Sequence, residues 1–456
     1  MDIKRAKDEI KKSIEIYLAK TPQGEYKIPI TRQRPIILMG PPGVGKTAVM
    51  EQIARECKIC FVSYTMTHHT RESILGMPHT EKIFYKKESF VATEYSLSEI
   101  IASIYQKISD TGIQEGILFL DEINCVSESL APSMLQFLQG KTFNNHQIPE
   151  GWIVVAAGNP PEYNASVREF DVVTLDRLKK IDIEPDYVTW KEYAYGHLIH
   201  GSIISFLELN PDCFYDVRPL GQDKKFITAR GWEDLSAVLV EYEARGYTID
   251  EQFILEYVQH PEIAHKFFEH YEKYSVLLPG SGIEAPSHTE GGEILLAHVL
   301  SNITNMCNEV DLETQYINAI DGMVQALKKQ YGTSRDSIRT IAGKIVADVE
   351  DNIRKRLSSK LLTGNELAAL RGSTRYIMEA AEKFSDSYAY GSTDDEAFAE
   401  LIKNFENLKA ARETLVEDTI NYINTTFNSY EDFDRLKEEI AINELAVKFL
   451  NEYMDQ

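Results

Sequence analysis

Long apolar runs are missing from this 456-residue chain, and no stretch approaches the roughly 18 consecutive apolar residues that span a bilayer. The first twenty residues, MDIKRAKDEIKKSIEIYLAK, are charged and amphipathic and have no apolar centre of the kind a secretory leader needs. Cysteine is scarce too. Cys57, Cys60, Cys125, Cys213 and Cys307 are scattered and odd in number, which argues against a disulfide framework and fits a reducing compartment. The expectation is a cytoplasmic chain without a membrane partner. Internal repeats and low-complexity tracts are absent as well, so neither a solenoid nor a disordered chain is indicated. Basic charge is in short supply: 48 Lys and Arg face 71 Asp and Glu, for a net charge of −23. The deficit is uneven, with 22 basic and 24 acidic residues in 1–185 but 26 and 47 in 186–456. Such a field repels phosphate backbones and anionic lipid over about 8 Å at physiological salt, which disfavours nucleic acid as a partner.

What the chain does contain is ordinary globular material, 43% hydrophobic and 26% charged, enough for about three structural units of roughly 100–200 residues each. The first part alternates short apolar strands with helical stretches, the pattern of an α/β domain with a parallel sheet. Strands are expected at 35–39, 60–64, 116–120, 152–157 and 180–183, with helices at 47–56, 96–108 and 129–139. Beyond Tyr187 no strand pattern is evident. Apolar residues recur there at three- and four-residue spacing, broken by Gly, Pro and Ser. A helical domain is expected over 187–280, ending at Pro279-Gly280-Ser281-Gly282, and an acidic all-α region over 281–456. In the latter, Ile338, Ile341, Ile345, Val349, Ile353, Leu357 and Leu361 form one stripe suited to bundle packing. Breaks are expected at Arg371-Gly372-Ser373, Gly391-Ser392-Thr393 and Asn428-Ser429, with Ser392, Asp394 and Asp395 as a helix start.

The chemistry is concentrated near the start. Gly40-Pro41-Pro42-Gly43-Val44-Gly45-Lys46-Thr47 fits G-x-x-x-x-G-K-[ST] and lies between an apolar strand and a helix, as a phosphate loop must. Glycines let backbone N–H groups close on phosphate oxygens, and the helix N-terminus adds partial positive charge. Lys46 offers a full charge to the β and γ phosphates, and Thr47 a hydroxyl to Mg²⁺. Residues Gly40 to Thr47, with Ala48 in the first helical turn, are the candidate nucleotide-binding set. Ile117-Leu118-Phe119-Leu120-Asp121-Glu122 is an apolar strand ending in two acids. Asp121 is placed to hold Mg²⁺ through water, and Glu122 to polarise an attacking water, a role a kinase acting on a bound acceptor would not need. Asn159 follows the strand WIVVAAG at the sheet edge where ligands bind, and is either a water-positioning group or the cap of a turn into Pro160-Pro161.

The order GPPGVGKT, ILFLDEIN, VVAAGNPPEYN, TLDRL and TARGWEDLS resembles the AAA+ superfamily, and within it the MoxR-type branch, which is similar to dynein-related and McrB-like ATPases. These motifs lie between Arg34 and Leu235. The resemblance implies a P-loop NTPase core with a parallel five-stranded sheet over 1–186, followed by a helical lid. It implies Mg²⁺-dependent ATP hydrolysis in a homo-oligomeric ring, usually a hexamer, with each ATP between two subunits. Asn159 resembles sensor 1, Arg177 the arginine finger that reaches a neighbour's γ-phosphate, and Arg230 sensor 2; Arg168 is a rival finger. The implied work is chaperone-like remodelling or maturation of a protein partner, one with a von Willebrand factor A domain. Two alternatives stand beside it: a nucleotide-gated scaffold with little hydrolysis, and the motor subunit of a nucleic-acid-cleaving complex.

Two segments resemble inserts of the MoxR type, each either facing a central pore or forming an ordinary surface hairpin. One is 77–96, with Lys82, Lys86 and Lys87 among Phe84, Tyr85 and Phe90; the other is 141–150, with an Asn144-Asn145 turn. Cys57 and Cys60 have redox or metal spacing but no second pair, so buried thiols are the simpler expectation. His68-His69 fits a polar loop at a strand end.

Overall fold

The computed structural model describes residues 1–85, 88–163, 167–217, 225–277, 289–331, 333, 336–384, 393–429 and 433–454. It divides into two compact units, one of residues 1–189, 215–231 and 359–361, the other of 190–214, 232–358 and 362–456.

The first unit opens with α1 (Ile3–Tyr17), β1 (Ile36–Met39), α2 (Lys46–Cys57), β2 (Cys60–Thr65) and α3 (Arg71–Leu75). It continues through β3 (Pro78–Tyr85), β4 (Glu88–Tyr95), α4 (Glu99–Thr111), β5 (Gly116–Asp121), α5 (Ala131–Gly140), β6 (Thr142–Phe143) and β7 (His146–Gln147). β8 (Trp152–Gly158), α6 (Val172–Leu175), β9 (Lys179–Asp182), β10 (Asp216–Val217) and β11 (Phe226–Ile227) complete its strands. The sheet order is β2-β5-β8-β1-β9, parallel at every pairing. All the expected core strands are present. Their alternation divides the core into two layers. Ile36, Leu38, Phe119 and Val155 pack with Ile10, Met50 and Ile53 of α1 and α2. Ile37, Leu118, Leu120 and Val154 pack with Ile100, Ile104 and Phe137 of α4 and α5. Burial on both faces is why these strands read as continuous apolar runs.

Because the strands are parallel, the loops after β1, β5 and β8 leave from one edge. Both insert segments are antiparallel hairpins: β3 pairs β4 over eight residues each, and β6 pairs β7 across Asn144, whose φ is 51°. Lys86 and Lys87 lie outside the described residues. The β10–β11 pair was not expected; two-residue strands are too short to leave an alternation in the sequence.

The second unit is helical: α7 (Tyr187–Gly196), α8 (Gly201–Leu209), α9 (Ala229–Arg245), α10 (Glu251–Tyr257), α11 (Pro261–Val276), α12 (Glu290–Gln330) and α13 (Ile338–Ser358). α14 (Gly364–Ala381), α15 (Thr393–Ser429), α16 (Phe433–Ala441) and α17 (Glu444–Tyr453) follow. α7 and α9 each begin in residues of the first unit. The α13 stripe buries Ile338, Ile341, Ile345 and Ile353, and the first three join Ile320, Val324 and Phe405 in one core. Gly372 does not break the chain: α14 runs through it, and a Cβ there would make a tight contact with the Tyr316 ring, 3.1 Å away. The expected break at 279–282 and the cap at Ser392 lie outside the described residues. Part of the acidic charge is spent inside this unit. Lys191 is buried between Glu439 at 2.8 Å and Glu208 at 3.0 Å, Tyr195 donates to Glu439 at 2.7 Å, and Arg435 meets the buried Glu293 at 2.6 Å. Among the described residues, no helix is long and apolar enough to cross a membrane.

Candidate nucleotide site

The loop 40–45 turns from β1 into α2 through two left-handed glycines, Gly43 at φ 75° and Gly45 at φ 88°. An L side chain is strained at either position, and at Gly43 a Cβ would lie 2.7 Å from the Thr228 side chain. The Tyr215 hydroxyl donates to the Pro42 carbonyl oxygen at 2.7 Å. Tyr215 and Thr228 therefore line the phosphate loop; Tyr215 belongs to no motif in the sequence, and Thr228 opens TARGWEDLS, in which only Arg230 has an expected role. Burial pushes the Tyr215 phenol up, and the nearby Tyr163 adds to it.

Lys46 begins α2 and is 8% exposed. Its ammonium group donates to the Gly40 carbonyl at 2.8 Å, the Pro41 carbonyl at 2.9 Å and Asn159 Oδ1 at 2.9 Å, which uses all three of its protons. Burial lowers its pKa from 10.5 to about 8; Asp121 and Glu122 oppose that shift, and the positive charge of Arg230 reinforces it. Arg230 itself is exposed in the first turn of α9. Three strand ends thus meet at one amine: β1 through the loop carbonyls, β5 through the acids, and β8 through Asn159.

Thr47 Oγ1 donates to Asp121 Oδ2 at 2.8 Å, so a hydroxyl and a carboxylate lie side by side at the ends of α2 and β5. Both are hard oxygen donors, a set that fits Mg²⁺ and not a soft metal. Glu122 sits in the left-handed region at φ 54°, ψ 37°, a conformation costing a non-glycine residue about 1–3 kcal/mol. It turns the chain sharply off β5, and its Oε2 accepts from Thr67 Oγ1 at 2.9 Å, just past the end of β2. Thr67 was not singled out in the sequence; only the β2–β5 pairing brings it beside the acid. Asn124, the last residue of ILFLDEIN, had no expected role. Its Nδ2 donates to the Asn159 backbone carbonyl at 2.8 Å, and its own carbonyl accepts from Arg168 N–H at 2.9 Å, tying the end of β8 to the segment before α6.

The structure does not bring the two candidate finger arginines into this cluster. Arg168 pairs with Glu128 at 2.8 Å, and Arg177 donates to Gln139 on α5. Among the described residues, neither guanidinium bonds to Lys46, Asp121, Glu122 or Asn159. Between them α6 presents Val172 and Val173, 81% and 62% exposed. Cys57 and Cys60 are free, and burial pushes both thiols up, which suits packing and not a reactive pair. His69 packs on the Tyr64 ring and faces Ser73 Oγ; the His68 side chain lies outside the described residues.

Residues 36–175 match the family model described as ATPase family associated with various cellular activities (AAA). The match runs from β1 through α6 and so contains the phosphate loop, the acid pair and Asn159. It supports an ATP-binding member of the AAA+ superfamily, built as a five-stranded parallel α/β core with a largely helical remainder. No curated protein matches the chain.

Proposed function

We propose that this chain is an ATP-hydrolysing AAA+ protein of the MoxR type that works as a homo-oligomeric ring, a hexamer by resemblance, and remodels or matures a protein partner in the cytoplasm. The observation that carries the hydrolytic reading is the convergence of Lys46, Thr47, Asp121, Glu122 and Asn159 on one sheet edge. Lys46 and the loop amides would bind the β and γ phosphates. Thr47 and Asp121 would hold Mg²⁺, which when bound neutralises phosphate charge. Glu122 would take a proton from the attacking water, and Asn159 would keep that water in line once Lys46 turns to phosphate. Arg230, whose charge already reaches Lys46, would add positive charge beside the phosphates.

Arg177 would act on a neighbour. Its exposure, its lack of a bond to the groups of its own site and the exposed valines beside it all support a surface that another copy covers. An arginine supplied in this way is worth about 10³ to 10⁵ in rate. The division into engine (1–186), lid (187–280) and partner-binding region (281–456) is part of the proposal, as is a partner containing a von Willebrand factor A domain, which rests on the resemblance.

Glu122→Gln tests the reading. It should keep ATP binding and lose about 10²- to 10⁴-fold in turnover, and a turnover like the wild type's would remove Glu122 as the base. Binding of ATP with Mg²⁺ but no hydrolysis at any protein concentration would favour the scaffold alternative instead.

A further inference from the structure

We propose that the base of the β3–β4 hairpin is a site for a divalent transition metal, held by His79, Glu81 and Glu94. The hairpin register carries the argument. His79 stands directly opposite Glu94, and Glu81 is two residues along β3, so all three side chains leave the same face of the ribbon. Their ligand atoms lie within 4.8 Å of one another.

The donor chemistry narrows the occupant. One imidazole nitrogen and two carboxylate oxygens suit Zn²⁺ and its first-row neighbours, whereas Mg²⁺ and Ca²⁺ take oxygen alone. Metal bonds of about 2.0–2.2 Å require the three atoms to draw in by about 1.5 Å. His79 and Glu81 are exposed and Glu94 is half-buried, so side-chain rotation can close that gap without moving the strands. The charge arrangement points the same way. Among the described residues none of the three side chains makes a hydrogen bond or an ion pair, so the two carboxylates share one face with no lysine or arginine between them. A cation removes that repulsion and joins β3 to β4 where the hairpin leaves the domain. Three protein ligands would leave a further position for water.

Zinc binding to the metal-free full-length protein, measured by calorimetry in excess Mg²⁺, tests the site, with Co²⁺ visible absorption as the report on nitrogen and oxygen ligation. One equivalent should bind, and His79→Ala or Glu94→Gln should each weaken it by at least about 10- to 100-fold. Hydrogen exchange at 78–95 should slow on adding Zn²⁺ in the wild type and not in either variant, which separates a local site from adventitious binding elsewhere. Circular dichroism checks that the variants fold. No zinc binding by the wild type, or the same affinity in Glu94→Gln, overturns the proposal.

Discussion

Raising the pH from 7 to 9 should weaken nucleotide binding by about tenfold, and Lys46 is the reason. In the free protein burial holds this amine at a pKa of about 8, so at pH 9 about one site in ten is still charged. A triphosphate seated on the loop favours the ammonium form and raises the pKa of the bound state. Where the bound state keeps a proton that the free state has lost, affinity falls as pH rises. It is therefore fully present below the free-state pKa, about halved at pH 8, and then drops by about tenfold per pH unit until the bound form also titrates. The assay is equilibrium binding of a fluorescent ATP analogue with Mg²⁺ at fixed ionic strength between pH 6.5 and 9.5. Lys46→Arg is the control, because a guanidinium stays charged throughout; whatever affinity it retains should be flat with pH. A flat wild-type profile between pH 7 and 9 would refute the idea that burial among the loop carbonyls and Asn159 has loosened the proton on Lys46.

Other outcomes follow from the same geometry. Arg177→Ala alone should be inactive, yet regain partial turnover when mixed with Lys46→Ala subunits, since each supplies the half-site the other lacks; no rescue would argue for Arg168 or for a role within the chain. Among the described residues Lys141, 2% exposed at the end of α5, donates its side chain only to the Ile30 carbonyl at 2.9 Å, and burial lowers it from 10.5 to about 8. That shift penalises its charged form by about 3 kcal/mol, and one hydrogen bond returns about 1 kcal/mol. Lys141→Met should thus stabilise the first unit by about 1–2 kcal/mol near pH 7 in thermal melts. The folded-state pKa is the lower one, so wild-type stability should rise between pH 8 and 10.5 and the advantage of the variant should shrink there. A variant that melts lower than the wild type at pH 7 would show the amine to be stabilising.

How much of this was legible in the residues depended on range. The phosphate loop, the acid pair and the apolar strands could be read because each is a contiguous pattern whose physics is local: glycines where φ must be positive, acids where a strand ends. The 141–150 hairpin was readable from its Asn144-Asn145 turn, whereas 77–96 was legible, as a pore-facing insert or a surface hairpin, only through the family resemblance. Thr67 and Tyr215 were not legible, since each reaches the site from a different stretch; Asn124 and Thr228 lie inside ILFLDEIN and TARGWEDLS, but the groups they touch, Asn159 and Gly43, are far from them in the chain. Gly372 was misread as a break for the same reason, because the Tyr316 ring that packs close against it lies 56 positions earlier.

The sequence by itself determined that a phosphate-binding α/β core is present and where its reactive groups begin, because those groups must follow one another along a strand, a loop and a helix. The tertiary structure decided the state of those groups. Only the parallel order β2-β5-β8-β1-β9 puts Asn159 on Lys46, Asp121 on Thr47 and Thr67 on Glu122. Only burial, a property of the packed chain, moves the Lys46 proton to where ordinary pH can reach it. The same holds for the acidic remainder. Its charge could be counted in advance, but packing alone places Glu439 and Glu293 inside the helical unit against Lys191 and Arg435.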